Sequence, residues 1–175
     1  MMNHALATFP NMRMRRLRSQ EKIRDLIRET HLCVSDFVLP LFIREAAGDR
    51  KPIASMPGHF QITLDHLAEE IDEILSLHIP AVLLFGIPEN KDERGSKSYL
   101  EHGIVQRAIR IIKKRAPSLL VISDLCFCEY TDHGHCGVLK KTEEGGFDVD
   151  NDATLELLVK QALSHARAGS DLLAP

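Results

Sequence analysis

The sequence lacks any apolar run long enough to cross a bilayer. It also lacks an excess of positive charge: 22 Lys and Arg stand against 25 Asp and Glu, for a formal net charge of -3 and a pI near 6.3. The first absence argues against a membrane-spanning helix, and the second against a field that would recruit nucleic acid. Before Glu21, the first acidic residue, there is no apolar segment of the kind a secretory signal needs and almost no serine of the kind a transit peptide carries, so a cytoplasmic protein is expected. Cysteine is scarce too, with four in 175 residues and three of them in one short run. That does not suit the disulfide framework of a secreted domain. Cys33, between Leu32 and Val34, reads as a small buried hydrophobe. The remaining composition, 44% hydrophobic and 27% charged, is that of one ordinary globular domain.

Four strand-like apolar runs are present, at 37–43, 81–87, 119–125 and 171–174. Helical spacing separates them: Leu64, Leu67, Ile71, Ile74 and Leu75; then Ile104, Val105, Ala108, Ile111 and Ile112; then Leu155, Leu158, Val159, Ala162 and Ala166. A short amphipathic segment at 21–28 precedes the first strand. Asp65 and Asp152 fall in or near first turns, Pro80 and Pro117 close two helices, and Gly169 closes the third. The order β, α, β, α, β, α, β, with strands apolar on successive residues, predicts a parallel sheet of about four strands covered by helices on both faces. Three strand-to-helix connections, 44–63, 88–102 and 126–151, are longer than usual. In βα-repeat barrels such loops lie at the C-terminal end of the strands, where chemistry collects; the plain alternative is disordered insertions. No helix follows the last strand, and four parallel strands leave two open edges, so the sequence reads as the first half of a larger, closed architecture.

The third apolar run leads into the densest chemistry of the chain. Between Cys126 and Cys136, eleven residues hold three of the four cysteines and two of the nine histidines, His133 and His135. Soft thiolates and imidazoles at that density suit zinc. If the extended backbone continues past Leu125, Asp124, Cys126 and Cys128 share a face; Gly134 and Gly137 then let the chain fold back and bring Cys136 to the other two sulfurs. The C-x-C-x7-C spacing differs from the paired CxxC of a zinc ribbon. Three thiolates leave a fourth position for water or a reacting molecule, which suits a catalytic ion. His133 or His135 as fourth ligand would instead close the site, and either could orient a ligand by hydrogen bonding. Inert core cysteines and a Cys126–Cys128 redox pair are further alternatives, though neither accounts for the polar, histidine-containing surroundings.

The stretch 123–139 resembles the zinc-binding signature of the porphobilinogen synthase (delta-aminolevulinic acid dehydratase) family. Further pieces resemble the same family in the same order: 15–18, 55–58, 84–86, Asp92 with Gly95 and Ser96, 150–154, and 169–175. The resemblance implies a TIM (β/α)8 barrel lyase of heme biosynthesis that condenses two molecules of 5-aminolevulinate into porphobilinogen with loss of water. It implies that Cys126, Cys128 and Cys136 bind the catalytic zinc, a Lewis acid toward substrate, with Asp124 as the adjacent carboxylate for proton transfer or for holding a substrate ammonium. His135 and His133 would stand behind the ligands. Asp132 departs from the signature, where serine is common.

The family forms Schiff bases through two lysines of its second half. None of the lysines here ends an apolar strand, where desolvation would lower its pKa, so they read as solvated surface amines. The expectation is therefore an N-terminal arm over 1–20 and the first half of a barrel over 21–175, carrying the zinc half of a site and inactive alone. A non-catalytic zinc-binding module of the same fold is the rival reading. Arg13, Arg15, Arg16 and Arg18 form either a solvated basic tail or, as the family's octamer implies, an arm that docks on a neighbouring subunit; no aromatic residue is interleaved to stack on bases.

Overall fold

The computed structural model describes Pro10, Met12, Arg13 and residues 15–175, so the expected arm over 1–20 falls partly outside the described residues. The chain divides into two units between Cys33 and Val34. In the first, a 3-10 turn at Arg16–Arg18 leads into α1, Glu21–Leu26, and neither buries a residue. Cys33 is exposed rather than buried, because its apolar neighbours Leu32 and Val34 are exposed with it.

The second unit is built on a six-stranded sheet. Its strands are β1 (Val38–Arg44), β2 (Lys51–Pro52), β3 (Phe60–Ile62), β4 (Ala81–Ile87) and β5 (Leu120–Asp124); a separate ribbon of β6 (Leu139–Lys141) and β7 (Phe147–Val149) precedes the sixth strand, β8 (Leu172–Ala174). The spatial order is β2-β3-β1-β4-β5-β8. The four expected strands, β1, β4, β5 and β8, lie side by side and parallel, in register from Val38 opposite Ala81, from Ala81 opposite Leu120, and from Ile122 opposite Leu172. Two strands of this sheet were not expected: β3 joins β1 in parallel and β2 joins β3 antiparallel, both drawn from the long connection after β1. The connection after β5 likewise supplies the β6–β7 ribbon. These long loops are structured, not disordered.

Helices α2 (Leu67–Ser76), α3 (Ile104–Arg115) and α4 (Asn151–Ala168) link the parallel strands. A 3-10 turn at Leu64–His66 leads into α2, which is why the apolar spacing begins at Leu64. The Asp150 carboxylate accepts the Ala153 N–H at the start of α4, and Gly169, at φ +107°, ends that helix in the left-handed conformation. Leu67, Ile71 and Ile74 of α2 pack with Ile104, Val105, Ala108, Ile109 and Ile112 of α3 over Leu41, Ile43, Val82, Leu84 and Val121 of the sheet.

Burial along the strands alternates, contrary to the expectation of two covered faces. On the second face Phe42, Leu83, Phe85, Ile87 and Ile122 are only half-buried, and Phe42 stacks on Phe85 with ring centroids 5.2 Å apart. The cause is the helix arrangement: α2 packs on α3 and α3 on α4, so the helices line one side of the sheet. Asp124, two residues beyond Ile122, belongs by strand alternation to the less covered face.

α4 also departs from its sequence reading. Its buried residues are Thr154, Leu157, Gln161, His165 and Ala168, while Leu155 and Val159 of the expected apolar stripe are more than half exposed. The buried stripe keeps helical spacing but is largely polar, because it packs against the polar loop that follows β5 rather than against an apolar core alone.

Candidate metal centre

The backbone carries the sheet ladder one residue past β5, where Leu125 N–H donates to the Ala174 carbonyl at 2.9 Å. Extension then stops. The N–H groups of Tyr130 and Thr131 both donate to the Phe127 carbonyl at 2.8 Å, closing a tight turn that is anchored by the buried side chains of Phe127 and Tyr130. Cys126 and Cys128 therefore do not alternate along a strand as their spacing suggested. The turn brings their sulfurs together. Gly134, at φ +75°, helps reverse the chain, and Gly137 passes so close to Thr154 and Val149 that a Cβ there would collide with both.

The result is a convergence of three thiols. Cys126 Sγ lies 3.3 Å from Cys128 Sγ and 3.0 Å from Cys136 Sγ. All three ligand atoms lie within 4.8 Å of one another, and no other group of His, Cys, Asp or Glu converges this way among the described residues. Burial, followed by the neighbouring sulfurs, pushes the Cys128 thiol up to about 12; the hydrogen bond with Cys126, followed by burial, raises Cys136. Thiols so close cannot all ionise unless a cation sits among them, and a bound metal removes their protons for that reason. Tetrahedral zinc, with Zn–S of about 2.3 Å, holds sulfurs about 3.8 Å apart. To meet that spacing the thiols need to open by about 0.5 Å between Cys126 and Cys128 and about 0.8 Å between Cys126 and Cys136. The donor set fits a soft divalent metal.

Asp124 ends β5, two residues before the first thiol. Its carboxyl is raised, chiefly by burial and then by the charge of Glu129, while the Cys126 N–H works in the opposite direction. Tyr130 is buried, and its phenol is held far above the ordinary range by burial first and by Asp124 next. Its hydroxyl occupies the space left by the absent side chain of Gly86 on β4. His133 has both ring nitrogens engaged: Nε2 donates to the Glu93 carbonyl and Nδ1 accepts the His135 N–H, each at 3.1 Å. The His135 ring lies tilted against it, centroids 5.6 Å apart, and its carbonyl accepts from Thr131 Oγ1 at 2.8 Å.

The loop after β4 ties itself to the cysteine run. Asp92 N–H donates to the Tyr130 carbonyl, Asp132 N–H donates to the Asp92 carbonyl, and the Asp92 carboxylate accepts from Ser96 Oγ and from the backbone N–H groups of Arg94 and Ser96. Lys97 on that loop pairs with Glu45 after β1 at 2.6 Å, so the connections of three strands meet at one end of the sheet. Sequence reasoning missed a second group of residues. Gln161 Nε2 donates to the Cys126 carbonyl, His165 Nδ1 lies 3.0 Å from Ser123 Oγ, and Thr154 Oγ1 accepts the Val138 N–H. A signal existed in principle: Thr154, Gln161 and His165 flank Leu157 at spacings that place all four on one helical face.

A family model described as delta-aminolevulinic acid dehydratase matches residues 11–175. The delta-aminolevulinic acid dehydratase of Halalkalibacterium halodurans is 51% identical over 163 residues, covering 93% of this chain and 48% of that protein. That of Helicobacter pylori is 50% identical (93% and 49%), and that of Synechococcus elongatus 47% identical (95% and 51%). The crystal structure of delta-aminolevulinic acid dehydratase (porphobilinogen synthase) from Toxoplasma gondii, in complex with the reaction product porphobilinogen, superposes with a TM-score of 0.81 at 34% identity, covering 93% of this chain and 46% of that one. The chain thus spans about half the length of the curated relatives it matches. With an α/β fold on a mainly parallel sheet like that of the solved structure, and matched by the family model over almost its whole length, the chain belongs to the delta-aminolevulinic acid dehydratase family.

Proposed function

We propose that this chain carries the zinc-binding half of a porphobilinogen synthase active site, in which two molecules of 5-aminolevulinate condense to porphobilinogen with loss of water. The observation that supports the reading most directly is the convergence of Cys126, Cys128 and Cys136 at the C-terminal end of the parallel strands. These three residues would hold the ion, which when bound supplies Lewis acidity toward a substrate amino or carbonyl group. Asp124 handles a proton or holds a substrate ammonium beside them. His133 and His135 brace the loop; because both nitrogens of His133 are engaged within the protein, an open fourth position is favoured over a closed site with that histidine as ligand.

The same reading makes residues 21–175 the first half of a TIM barrel, preceded by an arm over 1–20. The half-covered apolar face with Phe42, Phe85 and Ile122 supports it, since that face would line a closed barrel. The active protein is a cytoplasmic homo-oligomer, an octamer as in the family. No lysine of this chain is poised for Schiff-base chemistry: Lys97, at the correct end of the sheet, is paired with Glu45, and Lys113 is paired with Asp171. The 175-residue chain alone therefore forms no porphobilinogen.

Zinc-edge X-ray absorption on the zinc-loaded chain tests the assignment. Three sulfurs and one exchangeable oxygen are expected. Three sulfurs and one nitrogen, with no exchangeable oxygen, would favour the non-catalytic module, and a chain that folds yet has no zinc affinity would defeat both readings. Turnover of 5-aminolevulinate by the isolated chain would sink the claim that essential lysines lie elsewhere.

A further inference from the structure

Helix α4 holds the cysteine run at both of its ends. At the first ligand, Gln161 Nε2 donates to the carbonyl of Cys126 itself at 3.3 Å. Just past the third ligand, Thr154 Oγ1 accepts the Val138 N–H at 3.0 Å, its side chain fills the space against Gly137, and the Asp150 N–H donates to the Val138 carbonyl at 2.7 Å. Thr154 and Gln161 are seven residues apart, about two turns, so both lie on the same face of the helix. Both are buried, Gln161 completely. The Gln161 Oε1 has no hydrogen-bond partner among the described residues, so the orientation of this amide is accounted for by its donor, which meets the cysteine loop. One turn further, His165 ties to Ser123 on β5, which fixes the helix against the strand that delivers the loop.

We propose that Thr154 and Gln161 are positioning residues of the metal centre, with α4 serving as a rigid spacer that sets the separation of Cys126 and Cys136 before any metal arrives. The physical reason lies in the backbone. The direction of the Cys126 carbonyl sets that residue's ψ, and ψ governs where its sulfur lies relative to Cys128. Anchoring Val138 confines Gly137 and, with it, the approach of Cys136. A loop held this way has lost its freedom before binding, so less of the metal's binding free energy is consumed in ordering it. The proposal rests on reading the three cysteines as a metal site.

Cobalt(II) binding to the 175-residue chain provides the test, with affinity read by chelator competition and geometry by the thiolate-to-cobalt charge-transfer absorption. Gln161→Met removes the donor while keeping an unbranched buried side chain, and Thr154→Val removes the acceptor while keeping the shape. Thr154→Ser retains the acceptor. Ile71→Val is the control for a purely structural lesion: Ile71 is equally buried, but it lies on α2 in the apolar core over the sheet and makes no hydrogen bond to α4 or the cysteine loop. Gln161→Met and Thr154→Val should each weaken cobalt(II) binding by about 10- to 100-fold and alter the charge-transfer band. Thr154→Ser should bind like the unaltered chain, and Ile71→Val should lower the unfolding midpoint with no change in affinity. Equal affinity in all variants overturns the positioning role and leaves the metal reading intact, as does an equal loss in Ile71→Val. Failure of the unaltered chain to bind cobalt(II) defeats the metal reading and this inference with it. If Gln161→Met does not fold, the Thr154→Val and Thr154→Ser pair decides.

Discussion

His165 makes the stability of this chain depend on pH in a direction that can be worked out from its surroundings. The side chain is completely buried between α4 and β5, its Nδ1 faces Ser123 Oγ, and its Nε2 lacks a hydrogen-bond partner among the described residues. Burial disfavours the imidazolium and holds the group down at about 4, against an ordinary value of 6.5. Between those two values the unfolded chain binds a proton that the folded chain does not, so stability falls as pH falls. The loss begins near pH 6.5 and is complete below about 4. Integrated over the shift, this one group removes roughly 2 kcal/mol between pH 7 and pH 5, and roughly 3 kcal/mol by pH 4. Urea unfolding of the metal-free chain at pH 7 and pH 5 measures it, with His165→Gln as the reference. The variant is less stable at pH 7, because Ser123 loses its imidazole partner, but it loses less on acidification. The carboxylates titrate alike in both proteins and cancel in the comparison. Identical losses between pH 7 and pH 5 in the two proteins would refute the assignment of a buried, neutral His165.

Two further perturbations probe the framework that delivers the site. Gly86→Ala places a methyl group against the Tyr130 hydroxyl and 2.6 Å from Val105 Cγ2, so overpacking should lower stability by about 1–3 kcal/mol in urea unfolding, with larger losses if the turn that carries Tyr130 is displaced. Asp150→Ala removes the carboxylate that accepts the Ala153 N–H at the start of α4 and should cost about 1 kcal/mol, read as a lower thermal midpoint with the sheet signal unchanged at 25 °C.

How far the sequence could be read differed from element to element. The strands β1, β4, β5 and β8 were legible because a continuous apolar run bounded by polar loops has few other folded uses, and α2 and α3 because their apolar spacing coincides with the face they bury. The same rule misled at α4. Its apolar residues Leu155 and Val159 are exposed, and Thr154, Gln161 and His165 are buried, because hydrogen bonds to Cys126, Val138 and Ser123 make a polar face the one that packs. Local apolar patterning also concealed β2 and β3, which are two and three residues long and exist only because the edge of β1 pairs with β3 and β3 in turn with β2.

The sequence by itself determined the order of the main elements, the family, and which three cysteines lie close together along the chain, since those depend on residue type, spacing and resemblance. Only the tertiary structure decided how the three sulfurs meet. Cys136 reaches Cys126 through a chain reversal with Thr154 packed beside Gly137, and Cys128 reaches it through a turn plugged into the core by Phe127 and Tyr130. It likewise decided that the helices cover one face of the sheet and leave Phe42, Phe85 and Ile122 half-buried on the other. Spacing along a chain constrains which atoms can approach one another, but the packing of helix, strand and turn against one another selects which of those approaches occurs.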